Sequence, residues 1–176
     1  MTGSPLHVYL AHGASGSADS MRPWTEGLRA RGFGATPVQL PRGSAERAIP
    51  AYRAAVEASP GVIIGGHSFG GRVASLLAAD HPPAGLILLC YPLHRPGHPE
   101  TTAARTEHWP RITCPVLLLS GESDPFARIA LLRQAVARLP QAELVTYPRI
   151  GHGLNAVRDE ALDRMASWLK LLTIGS

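Results

Sequence analysis

The residue pattern with the clearest chemical meaning is Gly66-His67-Ser68-Phe69-Gly70. It follows the apolar run Val62–Gly65, which is typical of a buried strand, and it leads into the helical pattern of Phe69–Asp80. A serine between two glycines at a strand-to-helix turn is typical of a nucleophile. The glycines suit this turn because it strains the backbone and crowds the side chains two residues away. The turn would also place Ser68 at a helix N-terminus, which favours negative charge.

A serine hydroxyl needs a neighbouring base to become a good nucleophile. His152 follows the predicted strand Glu143–Tyr147, and Asp124 follows the predicted strand Val116–Ser120. Because parallel strands present their carboxyl ends at one edge of a sheet, we expect both groups to lie near Ser68. The sequence therefore predicts Ser68 as the nucleophile, His152 as the base and Asp124 as the acid that orients it.

Two other acidic or basic groups compete for these roles. Glu122 lies two residues before Asp124. We favour Asp124 because Pro125 can open the next helix directly after it. His12 and His67 are interpreted as groups that fix the surrounding loops and not as bases.

An attacking serine also needs hydrogen-bond donors for the oxyanion that forms. We expect one from the backbone N–H of Phe69, the residue after the nucleophile. The loop His12–Gly16 follows the first predicted strand and should supply the other. Ala14 is the first choice in that loop and Ser15 the second.

The elements that must position these groups alternate along the chain. Strand-like apolar runs alternate with helical patterns, which predicts one α/β domain over 1–176, with helices on both faces of a mostly parallel sheet of about six strands. The predicted strands are Leu6–Ala11, Ala35–Leu40, Val62–Gly65, Leu86–Tyr91, Val116–Ser120 and Glu143–Tyr147. The predicted helices are Met21–Arg31, Ala51–Ala58, Phe69–Asp80, Ala127–Leu139 and Asn155–Leu172.

One segment interrupts this alternation. Pro92–Thr113 is rich in proline and histidine, and we expect a long loop with one short helix that borders Ser68. Residues in or near it could contact a substrate, although plain packing over the sheet edge is an equal alternative for each. These candidates are Tyr91, Leu93, His94, His108, Trp109 and Phe126.

Composition and charge argue against several functional classes. The chain is 45% hydrophobic and 17% charged, which is too apolar for a disordered protein. Its net charge of +4 comes from dispersed arginines, so we expect no nucleic-acid partner. We also expect no membrane span, no signal peptide, no cofactor and no metal, since the loop histidines lack a ligand cluster. Cys90 and Cys114 favour a reducing cytoplasm.

The ordered serine, acid and histidine resemble those of the α/β-hydrolase superfamily over essentially the whole chain. Four short segments are similar to small bacterial dienelactone-hydrolase-like proteins, which are related to the hydrolase-like domain of a histone acetyltransferase complex subunit. These segments are Leu10–Ala14, Tyr91–Pro96, Arg105–His108 and Gly121–Phe126. The resemblance implies a three-layer fold. This sequence departs from the family pattern in two ways: the usual first two strands are absent, because Leu6–Ala11 already leads into the oxyanion loop, and Pro92–Thr113 stands in place of a large cap. Dienelactone hydrolases carry a cysteine nucleophile, so their substrate is not expected here.

Taken together, these features predict a serine hydrolase that cleaves a small carboxylic ester or thioester. Two alternatives stay open. The chain could be a non-catalytic binding module of the same fold, or an acyltransferase or peptidase that uses the same residues. A small acyl substrate is the expected partner, and a homodimer formed through trimmed sheet edges is an open option.

Overall fold

Six parallel strands form the sheet at the centre of the computed structural model, which describes residues 5–56 and 60–174. Their order across the sheet is β2-β1-β3-β4-β5-β6. The expectation of a trimmed, mostly parallel sheet of about six strands is confirmed. The strands are β1 (His7–Ala11), β2 (Gly34–Val38), β3 (Val62–His67), β4 (Gly85–Leu89), β5 (Val116–Gly121) and β6 (Ala142–Tyr147).

The apolar content of each strand follows its position in the sheet. The central strands β4 and β5 are buried along their whole length. The edge strands β2 and β6 are only partly buried. A central parallel strand is covered by helices on both faces, so it reads as a continuous apolar run.

Helices cover both faces and complete three layers. Residues Tyr9 and Ala11 of β1 pack toward the face that carries α2, α3 and α5. Residues Val8 and Leu10 pack toward the opposite face, with α1 and α6. The helices are α1 (Arg22–Ala30), α2 (Ala45–Ala55), α3 (Phe69–Asp80), α4 (Thr102–Thr106), α5 (Ile129–Val136) and α6 (Arg158–Ile174).

The start of α2 differs from the prediction. We expected this helix to begin at Ala51, after Pro50, but it begins at Ala45. The side chain of Ser44 caps it by accepting a hydrogen bond from the N–H of Arg47. Pro50 therefore lies inside the helix. The end predicted at Ala58 lies outside the described residues.

The bounds of β4 and α5 also differ from the prediction. Strand β4 ends at Leu89 because Cys90 adopts a φ of 48°, which breaks the extended backbone that we expected to continue to Tyr91. Helix α5 begins at Ile129, two residues later than predicted. It ends at Val136, and single tight turns continue the chain to Leu139.

The segment Pro92–Thr113 is packed onto the body of the protein. It contains the short helix α4 and two single turns of 3₁₀ helix, Pro99–Thr101 and Trp109–Arg111. Leu93, Trp109 and Ile112 from this segment are fully buried. Across residues 5–56 and 60–174, no large inserted domain covers the sheet edge.

Candidate active site

The candidate site lies at the carboxyl end of β1, where the order of strands across the sheet changes direction. Strand β1 lies between β2 and β3, so the chain leaves β1 toward one edge and returns to pair on its other side. A crevice forms at the carboxyl ends of strands at such a point. The loop after β1 begins with His12, and β3 leads directly into Ser68.

Ser68 occupies a strained turn between β3 and α3. Its φ of 49° and ψ of −113° lie in a region that non-glycine residues seldom adopt. A β-carbon on either Gly66 or Gly70 would lie 2.4 Å from the carbonyl oxygen of Ala11. Both glycines of the sequence pattern are therefore required by the close approach of the β1 backbone.

A continuous chain of hydrogen bonds runs from the Ser68 hydroxyl to a buried carboxylate. The Oγ of Ser68 donates to Nε2 of His152 at 2.8 Å. The Nδ1–H of His152 donates to the carboxylate of Asp124 at 2.8 and 2.9 Å. The Asp124 side chain is fully buried, whereas that of His152 is 23% exposed. The arrangement can move the hydroxyl proton to the imidazole and balance the resulting charge.

The structure brings Asp124, and not Glu122, to the imidazole. Glu122 Oε1 instead accepts hydrogen bonds from the side chains of Thr146 and Arg133. The reason that we gave for preferring Asp124 was wrong, because Pro125 does not open the following helix.

The residues around Pro125 form a turn that serves the carboxylate directly. The backbone N–H of Phe126 donates to Asp124 Oδ1 at 2.8 Å. The Phe126 ring also lies against the imidazole of His152, with 4.2 Å between ring centroids. The Asp-Pro turn thus orients the carboxylate and packs one face of the base.

His12 and His67, which we expected to fix the surrounding loops, make hydrogen bonds with backbone groups. His12 Nδ1–H donates to the carbonyl of Gly13 at 2.7 Å, and its Nε2 accepts from the N–H of Leu40 at 3.0 Å. His67 Nε2–H donates to the carbonyl of His152 at 2.9 Å. Sequence reasoning missed that last bond, in which one histidine holds the backbone of the other.

The residues expected to supply backbone donors for an oxyanion, Ala14 and Phe69, line a cavity together with Ser68. Phe69 is the first residue of α3, so its N–H has no acceptor within the helix. No acceptor for the N–H of Ala14 exists in the described parts of the chain. Both residues line a cavity that contains Ser68. Two amide groups without an acceptor in the described chain therefore belong to residues that line the same cavity as Ser68.

The family model for the α/β hydrolase domain matches residues 5–172 of this chain. The protein belongs to the α/β-hydrolase family. No protein of curated function matches its sequence. Its likeness to the solved structures described next, at 16% to 21% identity, is a likeness of fold.

Solved α/β-hydrolase structures superimpose on nearly the whole chain at low sequence identity. The monoacylglycerol lipase of Paleococcus ferrophilus has a TM-score of 0.82 at 17% identity, over 97% of this chain and 96% of its own. Est1E of Butyrivibrio proteoclasticus, solved with ferulic acid bound, has a TM-score of 0.79 at 16% identity, over 100% and 92%. The dienelactone hydrolase of Anabaena variabilis has a TM-score of 0.73 at 21% identity, over 96% and 87%.

Two cavities of this α/β hydrolase meet at Ser68. The first cavity has a volume of about 540 Å³ and the second about 500 Å³. Ala14, Ser68 and Phe126 line both. The first cavity is also lined by Phe69 and by residues of α2, α3 and the connection between β4 and β5. The second is lined by His67, His152 and residues near Trp24.

Of the six residues predicted to contact a substrate, Phe126 is the one that lines a cavity at Ser68. The other five are buried beneath the cavity wall and line neither cavity. Tyr91 and Trp109 pack edge to face, and His94 and His108 make hydrogen bonds in the interior. These five are Tyr91, Leu93, His94, His108 and Trp109, each no more than 3% exposed.

Three arginines line the first cavity and were missed by sequence reasoning: Arg72, Arg95 and Arg105. Arg72 could have been found, since it lies four residues after Ser68 and thus one helical turn along the same face of α3. The other two come from the segment Pro92–Thr113 between β4 and β5, whose path the sequence pattern did not reveal.

Two other buried titratable groups near the site, His67 and Cys90, favour their uncharged forms. Burial lowers the pKa of His67, which favours its neutral form. Burial, and then the nearby carboxylate of Asp124, raise the pKa of Cys90 to about 12. Cys90 is therefore an unreactive thiol. Within the described residues, no three His, Cys, Asp or Glu side chains are grouped to hold a metal ion.

The helices of the described chain differ from those that cross a lipid bilayer. None combines the length and the apolar composition that a crossing needs.

Proposed function

We propose that this protein is a serine hydrolase that cleaves a small carboxylic ester or thioester. The observation that carries the proposal is the unbroken hydrogen-bond chain from Ser68 through His152 to Asp124. It begins at the strained turn that exposes the hydroxyl at the sheet edge. The names of two structural relatives, a monoacylglycerol lipase and a dienelactone hydrolase, point to the same class of reaction.

In the proposed reaction, Ser68 Oγ attacks the acyl carbon while its proton passes to Nε2 of His152. The N–H groups of Ala14 and Phe69 donate hydrogen bonds to the oxyanion that forms. The bond to the leaving group then breaks, and the imidazolium gives its proton to that group. Water, deprotonated by His152, attacks the acyl-enzyme and releases the acid with the free Ser68 hydroxyl.

The proposal predicts that Ser68→Ala abolishes ester hydrolysis. Loss of a nucleophile that acts together with its base should lower kcat/KM by about 1,000-fold or more. The measurement is hydrolysis of 4-nitrophenyl acetate, together with labelling by a fluorophosphonate. Ser167→Ala is a matched control, because that hydroxyl donates to a backbone carbonyl within the remote helix α6.

Equal hydrolysis by wild type and Ser68→Ala, with no fluorophosphonate label on Ser68, would overturn the proposal. That result would favour the alternative of a non-catalytic binding module. An acyltransferase or a peptidase would take the label but form a different product, so product analysis separates these from an esterase.

We also propose a reducing cytoplasm as the compartment and a small molecule as the partner. Both cysteines, Cys90 and Cys114, are buried and unpaired, in agreement with that compartment. The homodimer stays a prediction, with strands β2 and β6 as the two edges through which the sheet could extend.

A further inference from the structure

The position of His152 distinguishes the two cavities that meet at Ser68. His152 lines the second cavity and not the first. In the proposed reaction, the protonated imidazole must reach the leaving group in order to give it a proton. The leaving group of a bound ester therefore extends into the second cavity.

The acyl chain must extend away from the leaving group, and thus away from the second cavity. Phe69, whose N–H is an expected oxyanion donor, lines the first cavity and not the second. With the acyl carbon at Ser68 Oγ and its oxygen at the amide donors, the remaining substituent of that carbon points away from the leaving group. The acyl chain therefore extends into the first cavity.

The two cavities differ in charge. No Lys, Arg, Asp or Glu lines the second cavity. The charged residues that line the first are Arg72, Arg95, Arg105 and Glu46. Arg72 is neutralised by an ion pair of 2.9 Å with Glu46.

The other two arginines of the first cavity lack an acidic partner. Arg105 donates from Nη1 to the carbonyl of Pro92, which is a neutral acceptor. In the described chain, the guanidinium of Arg95 has neither a hydrogen bond nor an ion pair. Burial, and then the nearby charge of Arg72, lower the pKa of Arg105, and the carboxylate of Glu46 offsets only part of this effect.

We propose that the substrate is a half-ester or half-thioester of a short dicarboxylic acid. Its free carboxylate would lie against Arg95 and Arg105 in the first cavity, and its uncharged leaving group would lie in the second. This inference rests on the proposed function, since it assigns directions around an acyl carbon attacked by Ser68. Arginine suits the role because its planar donors match a carboxylate. The remote carboxylate is unchanged in the reaction.

The test compares two 4-nitrophenyl esters that differ only at the far end of the acyl chain. One is 4-nitrophenyl hydrogen adipate, which ends in a free carboxylate, and the other is its methyl ester, which is uncharged at that end. We expect kcat/KM to favour the free acid by about 10-fold at low ionic strength, with the preference falling as salt screens the arginines. For each ester, the rate measured with the Ser68→Ala protein is subtracted from the rate measured with wild type, which removes the contribution of spontaneous hydrolysis.

Variants then locate the preference in the first cavity. Arg95→Gln and Arg105→Gln should each lower the ratio of acid to methyl-ester kcat/KM, and Arg105→Lys should restore part of it. Arg53→Gln is the matched control, because this exposed residue of α2 lines neither cavity and its loss changes net charge equally. The ratio should stay at the wild-type value in that control.

The outcomes separate this inference from the proposed function. Ser68-dependent hydrolysis of both adipates at equal kcat/KM overturns the inference and leaves the proposed function standing. An equal loss of preference in Arg53→Gln and Arg95→Gln overturns it as well. In 4-(hexanoyloxy)benzoate the charge is on the leaving group. A preference for this compound over its uncharged methyl ester overturns the assigned directions. Absence of Ser68-dependent hydrolysis of any ester overturns the proposed function itself.

Discussion

A single tyrosine hydroxyl joins two strands just before the turn at Ser68. Tyr52 is fully buried, and its hydroxyl accepts a hydrogen bond of 2.9 Å from the N–H of Gly65 on β3. It also lies within donating distance of the carbonyls of Gly65, at 2.6 Å, and of Tyr9 on β1, at 2.9 Å. Burial raises the pKa of Tyr52, so the phenol keeps the proton that it donates to one carbonyl at a time.

We therefore expect Tyr52→Phe to lower the free energy of unfolding by about 1–3 kcal/mol, because the N–H of Gly65 loses its buried acceptor. Urea unfolding at neutral pH measures this loss. Tyr147→Phe is the matched control, since the buried hydroxyl of Tyr147 has no hydrogen-bond partner in the part of the chain that the structure describes. Equal losses in the two variants would contradict the role assigned to Tyr52.

At the scale of elements, the strand–turn–helix unit of β3, Ser68 and α3 is fitted against the end of β1. A β-carbon on Gly70 would lie 2.4 Å from the carbonyl oxygen of Ala11 and 2.7 Å from that of His12. Both are backbone atoms, which cannot turn aside as a flexible side chain can. The glycine thus allows the helix to begin beside the strand.

Gly70→Ala should consequently be destabilising by about 1–3 kcal/mol or more, since overpacking here displaces main chain. It should also lower ester hydrolysis, because the turn that holds Ser68 must shift. Gly151→Ala, beside the base, is the matched control: a β-carbon there meets nothing within 4 Å. Thermal unfolding and 4-nitrophenyl acetate hydrolysis measure both effects, and a Gly70→Ala protein as stable and active as Gly151→Ala would disprove the argument.

At the scale of the whole molecule, one buried histidine links stability to pH. His108 is 3% exposed, and its Nε2 lies 2.8 Å from Ser75 Oγ, which itself donates to the carbonyl of Arg72. Burial first, and then the charges of Arg72 and Arg111, lower the pKa of His108 to about 4, against the opposing pull of Asp80 and Glu46. The folded protein therefore keeps this imidazole neutral.

The sign of the pH dependence follows from that difference. Below about pH 6.5 the unfolded chain binds a proton at His108. The folded protein binds a proton there only below about pH 4. This contribution to stability is complete above pH 6.5 and is lost as the pH falls toward 4. We expect this contribution to the free energy of unfolding to amount to at most about 3 kcal/mol.

His108→Gln should lose less stability than wild type between pH 7.5 and 4 in urea unfolding. Parallel pH profiles would rule out His108 as the cause.

The sequence alone determined the features that depend on neighbours along the chain. Strands β3, β4 and β5 were recognisable because strands covered on both faces are continuous apolar runs. Gly66 and Gly70 marked the turn at Ser68 because only glycine fits such crowding. The ends of elements were less well determined. We expected α2 to begin after Pro50, but it begins at Ala45, and Ala45 and Ala48 are buried in the core.

The tertiary structure alone decided which side chains face the cavities. His94, His108 and Trp109 have residue types that suit a binding site, yet distant segments cover them and bury them in the core. Arg72 and Arg105 are unremarkable along the chain and gather at one cavity because the segment Pro92–Thr113 folds back against α3. Sequence spacing specifies local geometry, whereas burial depends on what distant parts of the chain bring into contact, and that is settled only by the folded whole.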